Sequence, residues 1–464
     1  MNETIAAIAT PQAAGGISVI RISGADALKV ADSVFLPVSG KKLAQYKGYT
    51  AAYGHILCGN GGDELDDGVA TVFRAPHSYT GEDVVEISCH GGLLITRKVL
   101  RACLDNGARL AGPGEFTRRA FMNGKMSLTQ AEAVADLISA GSERSLRAAH
   151  SAMDGALYRK IRAITDQLLA VSSHLAAYID YPEEDVDELT VEDIDRICRD
   201  SLGQLKKLLT NFERGRLIRE GVDTVIIGKP NVGKSTLMNL LSGCARSIVT
   251  NIPGTTRDVV EETVNLGDVV LRLADTAGIR ETDNPVEKIG VDIALSRLES
   301  AGLVLAVFDL SEPLSDEDRR IIGRIKEMPR LPVVAVLNKT DLPPVLDTQE
   351  IISSFPHSVQ LSAGGGMEEQ EQAIETLNQV IGEMLMLDGF DPSEASLANE
   401  RQRSAAADAA KCLEEVVGTI EAGYTLDAVD VALESALSAL FELSGEKVSD
   451  TVIDQVFEKF CVGK

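Results

Sequence analysis

Nowhere does this chain carry an apolar run long enough to span a bilayer. The longest runs, such as "LVLAVF" from Leu303 to Phe308, stop far short of the roughly 20 residues that a membrane helix needs. The opening "MNETIAAIATPQ" also lacks the basic and then apolar layout of a secretory signal. These two absences predict a cytoplasmic protein with no membrane partner. Paired cysteine chemistry is missing as well. The seven cysteines, at positions 58, 89, 103, 198, 244, 412 and 461, are odd in number and never spaced C-x-x-C, which indicates neither a disulfide framework nor a cysteine zinc site. Most are expected to act as small buried apolar residues. Basic charge is scarce: 45 Lys and Arg face 70 Asp and Glu, a formal net charge of -25. A field of that sign repels a phosphate backbone and excludes loose, sequence-independent nucleic-acid binding. RNA would need a local basic patch or a basic partner protein.

What is present is ordinary globular material, 44% apolar and 25% charged. A length of 464 residues exceeds what one hydrophobic core usually serves, so several domains are expected. Residues 1–123 mix short β-rich runs ("ISVIRIS", "GVATVF", "VVEIS") with Gly-Gly pairs and one helical stretch, "LLITRKVLRACLDNG", which reads as an α+β domain. Residues 124–220 turn helical, with one break at "DYPEEDVDEL". Residues 221–385 alternate strands ("DTVIIG", "VVLRLADT", "GLVLAVFDL", "PVVAVLN", "SVQLSA") with helical segments, the pattern of a doubly wound, mostly parallel sheet. Residues 386–464 are helical again. The simplest architecture is a discontinuous all-α domain with the α/β unit inserted in it, preceded by the α+β domain.

The strongest chemical signal is "GKPNVGKST", residues 228–236, which follows the strand "DTVIIG" and precedes the helical "TLMNLLSG". Backbone N–H groups of Asn231, Val232, Gly233, Lys234, Ser235 and Thr236 would wrap the phosphates. Lys234 reaches toward the β and γ phosphates and serves catalysis, and Ser235 is the predicted Mg²⁺ ligand. Base choice is assigned to "NKTD", where Asn338, Lys339 and Asp341 follow the strand "PVVAVL". The Asp341 carboxylate can accept from the ring N–H and the exocyclic amine of guanine, a donor pair that adenine does not offer. Ser362 and Ala363 of a later "LSA" complete the predicted GTP site. In "TNIPGTTRD", residues Thr250, Asn251, Ile252, Pro253, Gly254, Thr255 and Thr256 form a switch segment whose Thr256 would close on Mg²⁺. "DTAGIR" supplies Asp275, Thr276, Ala277 and Gly278, and it poses a problem at Ile279. In Ras-like proteins a glutamine follows this glycine and orients the attacking water. An isoleucine side chain cannot hydrogen-bond, so either turnover is poor or another group holds the water.

Flanking motifs add a resemblance across essentially the whole chain. "ATPQAAGGISVIRISG", "TGEDVVEISCHGG", "GPGEFTRRAFMNGK" and the terminal "FCVGK", around a G domain with "GTTRD" and "DTAGIR", resemble the tRNA-modifying GTPase family known as MnmE or TrmE. That resemblance implies a K⁺-stimulated GTPase acting as a homodimer through its amino-terminal domains. With a flavin-dependent MnmG (GidA) type partner carrying FAD, in a heterotetramer or larger complex, it would act on tRNA bound through that complex. The product would be an aminomethyl or carboxymethylaminomethyl group at C5 of the wobble uridine. The one-carbon unit would come from 5-formyl- or methylene-tetrahydrofolate. The resemblance gives Asn231, Thr250, Ile252 and Thr255 to a K⁺ ion between facing G domains, and it gives water positioning to Glu287. Two plainer readings stay open on the residues alone, Asn231 as a cap of the loop's turn and Glu287 as a solvated helix-start acid. Pro253 inside the ion loop departs from the pattern and stiffens it.

The amino-terminal segment resembles the folate-binding fold of tetrahydrofolate-dependent one-carbon transferases. Alternation in "ISVIRIS" puts Arg21 on the face of Ile17 and Val19, an odd place for a cation unless it meets an anion. Glu86 in "EDVVEIS" can take two pterin N–H donors, and the resemblance adds Lys125 and Lys464 to this folate site. Without it, Arg21 and Glu86 read as edge-strand charges. Cys461 allows three readings. A lipidation box fits Val-Gly-Lys poorly, and a structural thiol on so short a tail would be expected to fray rather than pack. The third, which the resemblance supports, is a thiol serving the modification chemistry. A ribosome-assembly or RNA-binding regulatory GTPase is the rival reading, but it calls for a basic appendage where these helical segments are acidic. A dynamin-like assembling GTPase would need long heptads or a membrane patch.

Overall fold

The structure, a computed structural model, describes residues 3–59, 62–180, 190–244, 262–267, 269–273, 298–385 and 391–464. The chain divides into two compact units. The first comprises residues 1–135, 153–198 and 411–464, the second 136–152 and 199–410.

The first unit is built on a seven-stranded sheet of β1 (Ile5–Ile8), β2 (Ile17–Ser23), β3 (Phe35–Pro37), β4 (Thr50–Leu57), β5 (Glu64–Phe73), β6 (Val84–His90) and β7 (Arg109–Leu110), in the order β3-β4-β5-β6-β2-β1-β7. All neighbours are antiparallel except β1 and β7. Alternation decides which side is covered. Ile20 and Ile22 of β2, Ala70 and Val72 of β5, and Val85 and Ile87 of β6 face a core shared with Val30, Ala31 and Val34 of the helix Ala27–Val34 and Val99, Ala102 and Cys103 of the helix Leu93–Asp105. Ile17, Val19 and Arg21 take the other face. Because β2 and β6 are interior strands, Arg21 and Glu86 are not edge-strand charges. Arg119 of "GPGEFTRR" is only 2% exposed, and it donates to Glu82, Glu115 and the Glu3 carbonyl. That motif therefore carries a buried ionic junction.

Helices complete this unit. Leu157, Ile161, Ile164, Leu168, Val171 and Leu175 recur at three-to-four spacing and line one side of the helix Ala156–Asp180, which packs along Leu426–Ser444. The latter helix stops at Gly445, whose left-handed φ of 86° turns the chain so that the next N–H, of Glu446, bonds back to Phe441 O at 2.9 Å. The carboxyl-terminal helix Asp450–Glu458 brings Ile453 and Phe457, followed by Phe460, onto Leu128, Ala131 and Val134.

The second unit contains β8 (Val222–Ile227), β9 (Glu262–Leu266), β10 (Val269–Leu273), β11 (Leu303–Asp309), β12 (Val333–Asn338) and β13 (His357–Gln360), in the order β13-β12-β11-β8-β10-β9. Every pair is parallel except β9 with β10. β11 and β12 are buried throughout, as continuous apolar runs must be when both faces are covered. Separate cores lie on the two sides, one with Leu237, Leu241 and Leu377, the other with Ile321, Ile325 and Ile351. This is the doubly wound α/β arrangement expected from the sequence. Strand order reverses between β8 and β11, the place where such sheets bind ligands at their carboxyl ends. Among the described residues, no helix is long and apolar enough to cross a membrane.

Candidate functional site

The loop Gly228–Gly233 leaves β8 at that reversal and runs into the helix Lys234–Cys244. Two close approaches and one left-handed residue fix its path. A Cβ at Gly228 would stand 2.5 Å from the Val307 carbonyl, so the loop passes β11 with no room for a side chain. Gly233 has φ 95°, and a Cβ there would run into the Asn338 side chain. Asn231 is left-handed too, at φ 61°, a conformation that asparagine tolerates better than other non-glycine residues. Lys234 Nζ donates to the Gly228 and Lys229 carbonyls at 2.8 and 2.6 Å, holding its charge over the loop. Ser235 and Thr236 follow in the first helical turn.

The base-side residues meet this loop directly. Asn338, 2% exposed at the end of β12, donates through Nδ2 to Val232 O at 2.8 Å. Its Oδ1 accepts from Ala363 N at 3.0 Å. One side chain thus ties the phosphate loop, "NKTD" and "LSA" together. Ser362 Oγ donates to Asp341 Oδ1 at 2.6 Å, so that carboxylate is held before any base arrives. Lys339 adopts φ 69° and pairs with Asp309 at the end of β11. Burial pushes the Asp309 carboxyl up, but the bonds from Lys339 and Ser311 outweigh it and keep the group below the usual range.

Sequence reasoning missed Asp309 and a second tether, Lys229. This lysine is 12% exposed and pairs with Glu312 at 3.0 Å and with Asp318 at 3.3 Å. Burial lowers its pKa, yet the two acids win and hold it above the ordinary lysine value. Asp318 is 2% exposed and also closes the capping box on Ser315. Lys229→Ala is expected to loosen the carbonyls under Lys234 and weaken GDP binding by roughly tenfold, the loss of about 1.4 kcal/mol. Lys229→Arg should keep most of the affinity in a fluorescent-GDP titration. Equal weakening by both would show that the pair does not position the loop.

Thr250, Asn251, Ile252, Pro253, Gly254, Thr255, Thr256, Asp275, Thr276, Ala277, Gly278, Ile279 and Glu287 lie outside the described residues.

In the first unit, the structure brings three of the four predicted folate residues together. Arg21 and Glu86 are direct cross-strand neighbours, joined Nε to Oε1 at 2.7 Å. The guanidinium also lies 5.6 Å from the ring centroids of Tyr79 and Phe116. Nη1 donates to Gly463 O at 3.4 Å. The carboxyl tail is therefore docked rather than frayed, against expectation. Gly114 N donates to Cys461 O at 3.3 Å, Phe116 N donates to Lys464 O at 3.1 Å, and Val462 bridges Pro113. Gly463 has φ 103°, and a Cβ there would run into the Ile8 carbonyl. Lys464 is pushed below the usual lysine value, first by burial and then by the Arg21 charge. Lys125 instead donates to the Pro76 carbonyl at 3.1 Å. The expectation of buried thiols holds for Cys89, Cys103 and Cys198, whereas Cys58 and Cys461 are exposed.

Known proteins match the chain over its full length. A model of the MnmE helical domain matches residues 128–461, and one of the TrmE GTP-binding protein amino terminus matches residues 4–125. The tRNA modification GTPase MnmE of Symbiobacterium thermophilum is 44% identical over 467 residues, covering 100% of both chains. Those of Geobacillus kaustophilus and Bacillus subtilis are 42% and 40% identical, covering 100% of this chain and 99% and 100% of theirs. Among solved structures, Aquifex aeolicus Era bound to GDP and aluminium fluoride is 28% identical, covering 41% of this chain and 66% of that one, at a TM-score of 0.26.

Proposed function

The chain belongs to the MnmE (TrmE) family of tRNA modification GTPases, and we propose that it is a potassium-stimulated, cytoplasmic GTP hydrolase that modifies the wobble uridine of tRNA. The observation that carries this reading is the meeting of Asn338 with both the phosphate loop and Ala363, which assembles a guanine-nucleotide site from three separated motifs. With an MnmG-type partner that carries FAD, the protein adds an aminomethyl or carboxymethylaminomethyl group at C5, drawing one carbon from a tetrahydrofolate derivative. GTP hydrolysis drives rearrangement of the complex and does not perform the carbon chemistry. The test is nucleoside analysis of tRNA from a deletion strain, where unchanged wobble uridines would overturn the proposal.

Several features support the finer assignments. Ser235 stands at a helix start beside Lys234, a setting that suits Mg²⁺ bound to phosphates, with Thr256 as the second protein ligand. The ion neutralises phosphate charge when bound. The Asn231 side chain is exposed at the loop's left-handed residue and is available to K⁺, with Thr250, Ile252 and Thr255 completing the cage. Glu287 positions the water that Ile279 cannot hold. Arg21 and Lys464, two cations around the Glu86 carboxylate, suit the acidic tail and pterin of a folate, with Lys125 at the rim. Ile17 at 68% and Leu94 at 70% exposed leave apolar surface on the amino-terminal domain, which favours the homodimer. The proposed domains divide at residues 123, 220 and 385, a finer partition than the two compact units.

Turnover should rise strongly in K⁺ over Na⁺, because the smaller ion fits a cage of fixed radius poorly. The left-handed backbone makes Asn231→Gly the informative variant, since alanine at φ 61° would add about 1 kcal/mol or more of strain unrelated to the ion. That variant should lose the salt response while still binding GDP. A wild-type rate equal in both salts would refute the cage.

A further inference from the structure

The β4–β5 hairpin carries a group of side chains that neither the nucleotide site nor the Arg21 cluster uses. His55 on β4 stands opposite Asp67 on β5. Beyond them the register slips at Ile56/Leu57, so that Leu57 pairs with Glu64 instead of residue 65. A regular ladder would put Leu65 on the His55 face. The slip turns Glu64 onto that face and lets Leu65 pack against the core. The result is three potential ligands converging at one point. His55 Nδ1 lies 3.0 Å from Glu64 Oε1 and 2.8 Å from Asp67 Oδ1, and one ligand atom from each residue lies within 4.8 Å of the others.

The His55 Nδ1 position carries at most one proton, yet two carboxylate oxygens lie 3.0 and 2.8 Å from it, so a single proton is shared between two anions.

We propose that His55, Glu64 and Asp67 form a binding site for a divalent first-row transition-metal ion. A tetrahedral ion with bonds of roughly 2.0–2.2 Å holds adjacent donors about 3.4 Å apart. The two nitrogen–oxygen distances need to open by only about half an ångström, within reach of small side-chain rotations. One imidazole with two carboxylates suits Zn²⁺, Co²⁺ or Mn²⁺. Mg²⁺ prefers all-oxygen octahedra and sheds its waters reluctantly. The exposed setting leaves a fourth position to water.

The test is equilibrium dialysis of the full chain against Zn²⁺, with GDP and Mg²⁺ saturating so that the nucleotide site is filled. One Zn²⁺ per chain is expected, and Cys58→Ser should still bind it. His55→Gln and Glu64→Gln should each weaken binding by more than about tenfold, since even a supporting carboxylate contributes that much to metal affinity. Glu64 is a half-exposed surface acid, so its glutamine variant should fold normally, which a thermal melt checks. Co²⁺ in place of Zn²⁺ should show ligand-field bands without sulfur-to-metal charge transfer. Zn²⁺ affinity unchanged in both glutamine variants, or a thiolate charge-transfer band, would overturn the proposal.

Discussion

Asp341→Asn is expected to convert the nucleotide site from guanine to xanthine. The carboxylate accepts from two guanine N–H groups, and such charge-assisted bonds contribute about 1.5–3 kcal/mol each. An amide replaces one acceptor with a donor that faces guanine's exocyclic amine, so GDP affinity should fall by about 10²-fold or more. Xanthine carries a carbonyl where guanine carries that amine, and the asparagine N–H₂ then finds an acceptor. The Ser362 hydroxyl, which donates to Asp341 Oδ1 at 2.6 Å, can donate equally to an amide oxygen and hold the new side chain with its nitrogen toward the base. Parallel titrations with fluorescent GDP and XDP measure the exchange. If GDP binds the variant as tightly as the wild type, Asp341 does not read the base.

What was legible in the sequence was what is local. The phosphate loop announces itself because strand, glycines and helix lie within one continuous stretch, and Gly228 and Gly233 sit where a Cβ would clash. Alternation in "ISVIRIS" groups Arg21 with Ile17 and Val19, as the strand does, but it did not reveal that the core lies on the other face, with Ile20 and Ile22. The continuous apolar runs of β11 and β12 marked a sheet covered on both sides. In contrast, β4 was missed because "TAAYGHIL" dilutes its alternation with alanine and glycine. The partners of charged residues were hidden for a different reason. Lys229 looks like any loop lysine until folding brings Asp318 and Glu312 to it from a later segment. Arg21 meets Gly463 across 442 positions, a contact that no window of sequence contains. The register slip that turns Glu64 toward His55 is likewise a property of paired strands, and neither strand encodes it alone.

Cys461→Ser is expected to abolish tRNA modification in cells while leaving the fold, folate binding and GTP turnover intact. The docked tail makes this a sharper test than the sequence allowed. Val462, Gly463 and Lys464 are fixed by Pro113, Arg21 and Phe116, and Cys461 itself gives its carbonyl to Gly114. Cys461 is nonetheless exposed, so the docked backbone presents it two residues from the Gly463 carbonyl that Arg21 holds, without burying it. Serine keeps every one of those backbone bonds and changes only sulfur to oxygen, so a loss of modification cannot be put down to a detached tail. Gly463→Ala supplies the opposite perturbation. Its Cβ collides with Ile8 O at a left-handed φ of 103°, so the tail should lift while the thiol stays chemically intact. Loss of modification in both variants, measured by nucleoside analysis of cellular tRNA, would mean that the thiol must be present and must be held in place. Full modification by Cys461→Ser would show the sulfur to be dispensable and leave the tail a structural clasp.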